Sequence, residues 1–181
     1  MQPKANCPTS CGNVNVSFPF GLEAGCFADL QMYLVCNPEP SPVLQMLGGA
    51  VVTNLSIDQG ILSVLRPSNQ SHSLADMYPS LYAISGDWGG RVDLKWAVDS
   101  LTCEVAKTMV HEDSYRCSSY YSHCIDVTDD KTQAGLGYRC KCSPGFGGNP
   151  YIKDGCTGTI SLKIQRECKL LKIVMIDTVI L

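Results

Sequence analysis

The thirty residues from Cys7 to Cys36, CPTSCGNVNVSFPFGLEAGCFADLQMYLVC, decide how the rest of the chain is read. Four cysteines fall within them. Between the second and third, Val14, Val16 and Phe18 alternate with Asn13, Asn15 and Ser17. That is the two-residue period of a strand with one apolar face and one wet face. Pro19 and Gly21 stop the strand, and Gly25 turns the chain again before Cys26. The expectation is a short, bridged, β-rich unit.

The 181 residues allow one ordinary domain or two small ones. The eleven cysteines cluster twice, at Cys7, Cys11, Cys26 and Cys36, then at Cys103, Cys117, Cys124, Cys140, Cys142 and Cys156, with Cys168 left over. No pair has the two-residue spacing of a zinc knuckle and no histidine is placed to complete one, so no metal site is expected. Three sequons, at Asn15, Asn54 and Asn69, agree with a secreted, oxidised chain. A net charge of −3 argues against nucleic acid. Met1-Gln-Pro-Lys lacks the apolar run of a leader, so the chain reads as a mature fragment or an incomplete gene product.

Asn37 to Pro42 carries three prolines and is expected as a stiff loop. Gly49 to Ile57 reads as a strand with Val51, Thr53, Leu55 and Ile57 on one face and Val52, Asn54 and Ser56 on the wet one. Asp58-Gln59-Gly60 turns and Ile61 to Leu65 returns, a hairpin. A polar stretch over 67–80 carries Asn69. A second hairpin follows, with Leu81 to Ile84 in, a turn through Trp88, and Arg91 to Val98 out. Val92, Leu94, Trp96 and Val98 share one face of that last strand; Arg91, Asp93, Lys95 and Ala97 share the other. No helical periodicity precedes residue 102.

The first block, with its Cys-Gly-Asn-Val, Phe-Pro-Phe-Gly and Gly-Cys, resembles the head of the galacturonan-binding domain of plant wall-associated receptor kinases. The later cysteines, with 13, 6, 15, 1 and 13 residues between them, resemble an epidermal-growth-factor-like (EGF-like) module. Cys140-Lys141-Cys142, Pro144 to Gly148, and Asn149-Pro150-Tyr151 through Cys156 carry that likeness. The expected fold is therefore all-β, small and disulfide-rich, with a hairpin-rich cysteine-stapled head at 1–102, an EGF-like module at 103–158, and an atypical tail at 159–181. The resemblance implies bridges Cys103–Cys124, Cys117–Cys140 and Cys142–Cys156, each worth about 3 kcal/mol in the chain-entropy model. The head's four cysteines pair among themselves in one of three ways, and Cys168 is free or intermolecular. After Cys156 the acidic run of a calcium-binding module is missing, as are a membrane span and a kinase. Leu170 to Leu181 is shorter than the roughly 20 residues that span a bilayer.

The resemblance implies an extracellular, cell-wall protein that binds pectic polysaccharide, its family anchored in the plasma membrane. A polyanion of sugar rings calls for cations and aromatic faces. Residues 1–102 hold four cations, Lys4, Arg66, Arg91 and Lys95, against eight acids, a net of −4. Arg91 and Lys95 beside Trp88 form the candidate patch, and calcium is expected only as a bridge to pectate. Phe18, Phe20, Phe27 and Trp96 are read as core. Two rivals stand beside this reading. One is a protein-interaction ectodomain, a decoy or co-receptor that pairs with receptor-kinase ectodomains. The other is a secreted carbohydrate-active enzyme using an acidic pair such as Asp87 and Asp93. The scattered His72, His111 and His123 and the absence of a nucleophile elbow argue against catalysis, and the acids are read as turn and strand-edge groups.

Overall fold

A computed structural model of the chain describes residues 2–66, 81–86, 90–108, 115–130 and 132–158. Its main feature is a six-stranded antiparallel sheet. The strands are β3 (Leu34–Asn37), β4 (Val43–Met46), β5 (Val51–Ser56), β6 (Ile61–Leu65), β7 (Leu81–Gly86) and β8 (Arg91–Trp96), in the order β3-β4-β5-β6-β8-β7. The proline-rich loop joins β3 to β4, and Asp58-Gln59-Gly60 joins β5 to β6. The sheet is preceded by a two-residue pair, β1 (Ser10–Cys11) with β2 (Val14–Asn15).

The strand expected over Val14 to Phe18 is thus only Val14–Asn15 long. Its burial alternation nevertheless continues, with Val16 and Phe18 buried and Asn15 and Ser17 exposed. Inward-facing side chains keep the phase after the strand pairing has ended. A second difference lies in β5. Val52, expected on the wet face, is buried, while Asn54 is exposed. The register against β6 shifts between Val52 and Asn54; this bulge changes which side the following residues face.

Bridges Cys7–Cys26 and Cys11–Cys36 staple the head. Cys103–Cys124, Cys117–Cys140 and Cys142–Cys156 staple the second unit. That unit consists of a short helix α1 (Cys103–Thr108), the hairpin β9 (Ser122–Thr128) with β10 (Gly135–Cys142), and the small pair β11 (Phe146–Gly148) with β12 (Cys156–Gly158). Helix α1 was not expected. Its six residues are too few to show a period, and it is held by its place: Thr102 Oγ1 accepts from Val105 N, and Asp126 accepts from Cys103 N at 2.6 Å.

The two units share one core. Trp96 is completely buried between Phe20 of the head, edge-on at 5.1 Å, and Tyr151 of the second unit at 6.0 Å. Tyr138 and Tyr151 are also completely buried. Backbone pairing crosses the boundary: Val98 N donates to Tyr138 O at 2.8 Å, and Tyr138 N donates to Asp99 O at 3.0 Å. Asn149 closes another seam, donating through Nδ2 to Phe18 O and accepting from Tyr151 N. Gln2 does the same at the N-terminal end, donating to Tyr151 O and accepting from Lys153 N.

Burial raises the phenol pKa of Tyr115, Tyr138 and Tyr151 above the ordinary value near 10. The unfolded chain therefore sheds these protons first as pH rises, so it binds fewer protons than the native state above about pH 10. Thermal melts should give a midpoint insensitive to these groups below pH 10 and falling above it. Tyr151→Phe leaves Cys140 N without its 2.8 Å acceptor, so it should lower the plateau while flattening the alkaline fall. An equally steep fall in this variant would show that Tyr151 does not contribute to it.

Candidate functional site

The cations of the expected patch do not converge. Arg91 and Lys95 lie four residues apart on β8, about 13 Å along a strand. Arg91 is opposite Leu65, and Arg66 N donates to Gly90 O at 2.9 Å, so the two arginines mark one end of the β6–β8 pair. Both are exposed. Lys95 sits near the other end, opposite Ile61, with its Nζ 2.5 Å from Asp130 of the β9–β10 loop. Lys4 is elsewhere, ion-paired to Glu23 at 3.1 Å with both side chains about half exposed. Such pairs contribute little to stability. Trp88 and the sequon Asn69 lie outside the described residues, as do Cys168 and the tail. The sequons Asn15 and Asn54 are exposed.

The structure brings together a different set, which spans both units. The β5–β6 turn packs against the β9–β10 hairpin. There Arg139 Nη1 donates to Asp58 O at 3.0 Å, and Lys141 Nζ lies 3.4 Å from the Asp58 carboxylate. Lys95 reaches the same place from β8, and a cleft of about 200 Å³ opens between Gln59, Gly60, Lys95, Asp126, Thr128 and Arg139. Gly60 explains how the guanidinium fits. It has φ +69°, and a Cβ there would lie 2.6 Å from Arg139 Cδ and Nε. No short-range signal marked Arg139 or Lys141 beforehand, since Asp58 and Arg139 are 81 residues apart.

Two other surfaces stand out. A second cleft of about 200 Å³ holds Arg116 between Asp29, Gln31, Asp99 and Ser100. Asp29 and Asp99 are occupied in accepting from the backbone of Gln31 and Leu101, which makes them turn-forming groups. On the second unit Tyr121 stacks on Phe146 at 4.0 Å with Tyr120 edge-on at 4.9 Å, and Tyr120 is 83% exposed. The ten cysteines of the described residues are all bridged. Among those residues no helix is long and apolar enough to cross a membrane, and no three His, Cys, Asp or Glu side chains group as metal ligands.

Comparison with known proteins finds a family likeness for the first third of the chain. Residues 7–66 match the family model described as wall-associated receptor kinase galacturonan-binding. Wall-associated receptor kinase 5 of Arabidopsis thaliana is 40% identical over 65 residues, 35% of this chain and 7% of that protein. Wall-associated receptor kinase 3 is 39% identical over 66 residues, again 35% of this chain and 8% of the relative. Wall-associated receptor kinase 1 aligns across 86% of this chain at 21% identity, covering 35% of its own length. The chain thus spans well under half the length of these relatives. No solved structure matches it. At residues 7–66 the chain carries a domain of the wall-associated receptor kinase galacturonan-binding family.

Proposed function

We propose that this chain is an extracellular polysaccharide-binding ectodomain of the wall-associated-kinase type whose ligand is the galacturonan of pectin. The observation that carries this reading is the family match over residues 7–66, a segment that makes up the disulfide-stapled half of the sheet. Five bridges suit an oxidising, extracellular setting. The chain acts by binding. Among the described residues His123 is the one histidine, it is exposed, and the bridged cysteines offer no nucleophile.

The net charge of −3 gives no long-range attraction for a polyanion. Binding therefore depends on short-range contacts between cations and carboxylates, with calcium as a further bridge. The full chain should be retained on polygalacturonate at low salt and released as salt rises, because the screening length drops from about 8 Å at physiological ionic strength to about 3 Å at 1 M. A chelator lowers retention if calcium bridges. No retention under any of these conditions would end the pectin reading.

A second reading has its own observation. The exposed cluster Tyr120, Tyr121 and Phe146 is of the residue type enriched at protein interfaces. It favours a contact with a receptor ectodomain, and capture of such an ectodomain without glycan binding would establish that reading instead.

A further inference from the structure

We propose that the cleft between the β5–β6 turn and the β9–β10 hairpin is a docking site for a uronate carboxylate, with Arg139 as its anchor and Lys95 as its second cation. This rests on the galacturonan-binding reading and names the place where that ligand is held. It also assigns the second unit a part in binding: the head supplies Gly60 and Lys95, and the second unit supplies Arg139.

Arg139 is held for this task. Its side chain crosses the bare backbone of Gly60, where any Cβ would collide with it, and Nη1 is tied to Asp58 O. One of the five guanidinium N–H donors is thereby used, and it makes no other hydrogen bond to the described residues. The rest of a planar, pre-set fork remains for a carboxylate, the geometry in which arginine binds carboxylates in bidentate fashion. The carboxylates nearby are already engaged. Asp126 accepts from Cys103 N, Asp58 pairs with Lys141, and Asp130 pairs with Lys95.

Asp130 makes the site selective for a ligand that repeats its charge. It is 63% exposed and lies on Lys95, so it competes with an incoming carboxylate for the same ammonium group. Arg139, Lys95 and Lys141 stand against Asp58, Asp126 and Asp130, so these groups together carry no net charge. A lone monouronate therefore binds weakly, while a polymer presenting many carboxylates gains through effective concentration. Ile125 and Val127 give the cleft an apolar wall for the ring, and Gln59 and Thr128 offer polar groups to its hydroxyls. The volume is below the roughly 300–1,000 Å³ of drug-sized pockets and suits one ring of a chain.

The test measures binding of the full chain to oligogalacturonate, with fully methyl-esterified pectin as the uncharged control and near-ultraviolet circular dichroism to confirm folding. Arg139→Gln keeps an N–H for Asp58 O but loses the fork, and should bind about tenfold or more weakly. Arg139→Lys keeps the charge and should also bind more weakly than wild type. Asp130→Asn frees Lys95 and should bind more tightly. Glu39→Gln makes the same change in net charge on the β3–β4 loop, away from the cleft, and should match wild type. Folded arginine variants that bind like wild type would overturn the site while leaving galacturonan binding intact. So would equal effects of Asp130→Asn and Glu39→Gln, or equal binding of esterified pectin. Failure of the wild type to bind oligogalacturonate would remove the reading on which the site rests.

Discussion

A chain ending at residue 102 is expected to be unfolded under conditions in which the full chain is folded. The cut leaves every strand of the six-stranded sheet and both head bridges in place, but removes one side of the core. Trp96 loses Tyr151, and the fully buried Tyr138 and Tyr151 are gone. Removing a large buried aromatic costs about 3–5 kcal/mol, and two such losses compare with the whole net stability of a domain, about 5–15 kcal/mol. The cut also strands Val98 N and Phe18 O, whose partners are Tyr138 O and the Asn149 side chain. The bridges limit the unfolded ensemble but cover no apolar surface. Thermal melts and near-ultraviolet circular dichroism of residues 1–102 beside the full chain decide the matter. A cooperative melt within a few degrees of the full chain would show that the head is self-sufficient.

That shared core was the part of the fold least legible in the sequence. Two-residue alternation located β5 and β8 and named Trp96 as core, because a strand with one face turned inward reports it locally. Strand β6 was placed by the turn before it, and its buried run Leu62, Ser63 and Val64 shows no alternation. The bulge at Val52 to Asn54 left no such mark, since one unpaired residue changes the phase without changing the composition. Tyr138 and Tyr151 sit in a segment rich in glycines, prolines and bridged cysteines, with no apolar period of its own, and partners of theirs lie across the boundary. The site failed to show for the same reason. Spacing places Arg91 and Lys95 on one face of β8, but it cannot reveal that Asp130 covers Lys95 or that Arg139 settles over Gly60. Of the proposed cleft, the head's share was visible as a scattered set of cations, and the second unit's share was not visible at all.

The tightest point of the junction supplies a sharper test than deletion. Gly137→Ala is expected to destabilise the full chain by roughly 3–5 kcal/mol, combining backbone strain with lost pairing. Gly137 has φ +127°, in the region that side chains rarely adopt, and a Cβ there would lie 1.8 Å from Asp99 O, a backbone atom that cannot swing aside. Relief requires β10 to move away from the segment after β8, which breaks the bonds from Val98 N to Tyr138 O and from Tyr138 N to Asp99 O. Tyr138 then leaves its stack on Tyr115 and its hydroxyl contact with Arg116 N. For a chain of this size the change should lower the melting midpoint by about 10 °C or more. Gly135→Ala, two residues earlier on the same strand with open space around its Cβ, should leave the midpoint nearly unchanged. Arg139 follows Gly137 on β10, so retention on polygalacturonate should fall with Gly137→Ala and survive Gly135→Ala. Equal midpoints for the two variants would mean that β10 is not held against the head at Asp99, and the joined core would have to be abandoned.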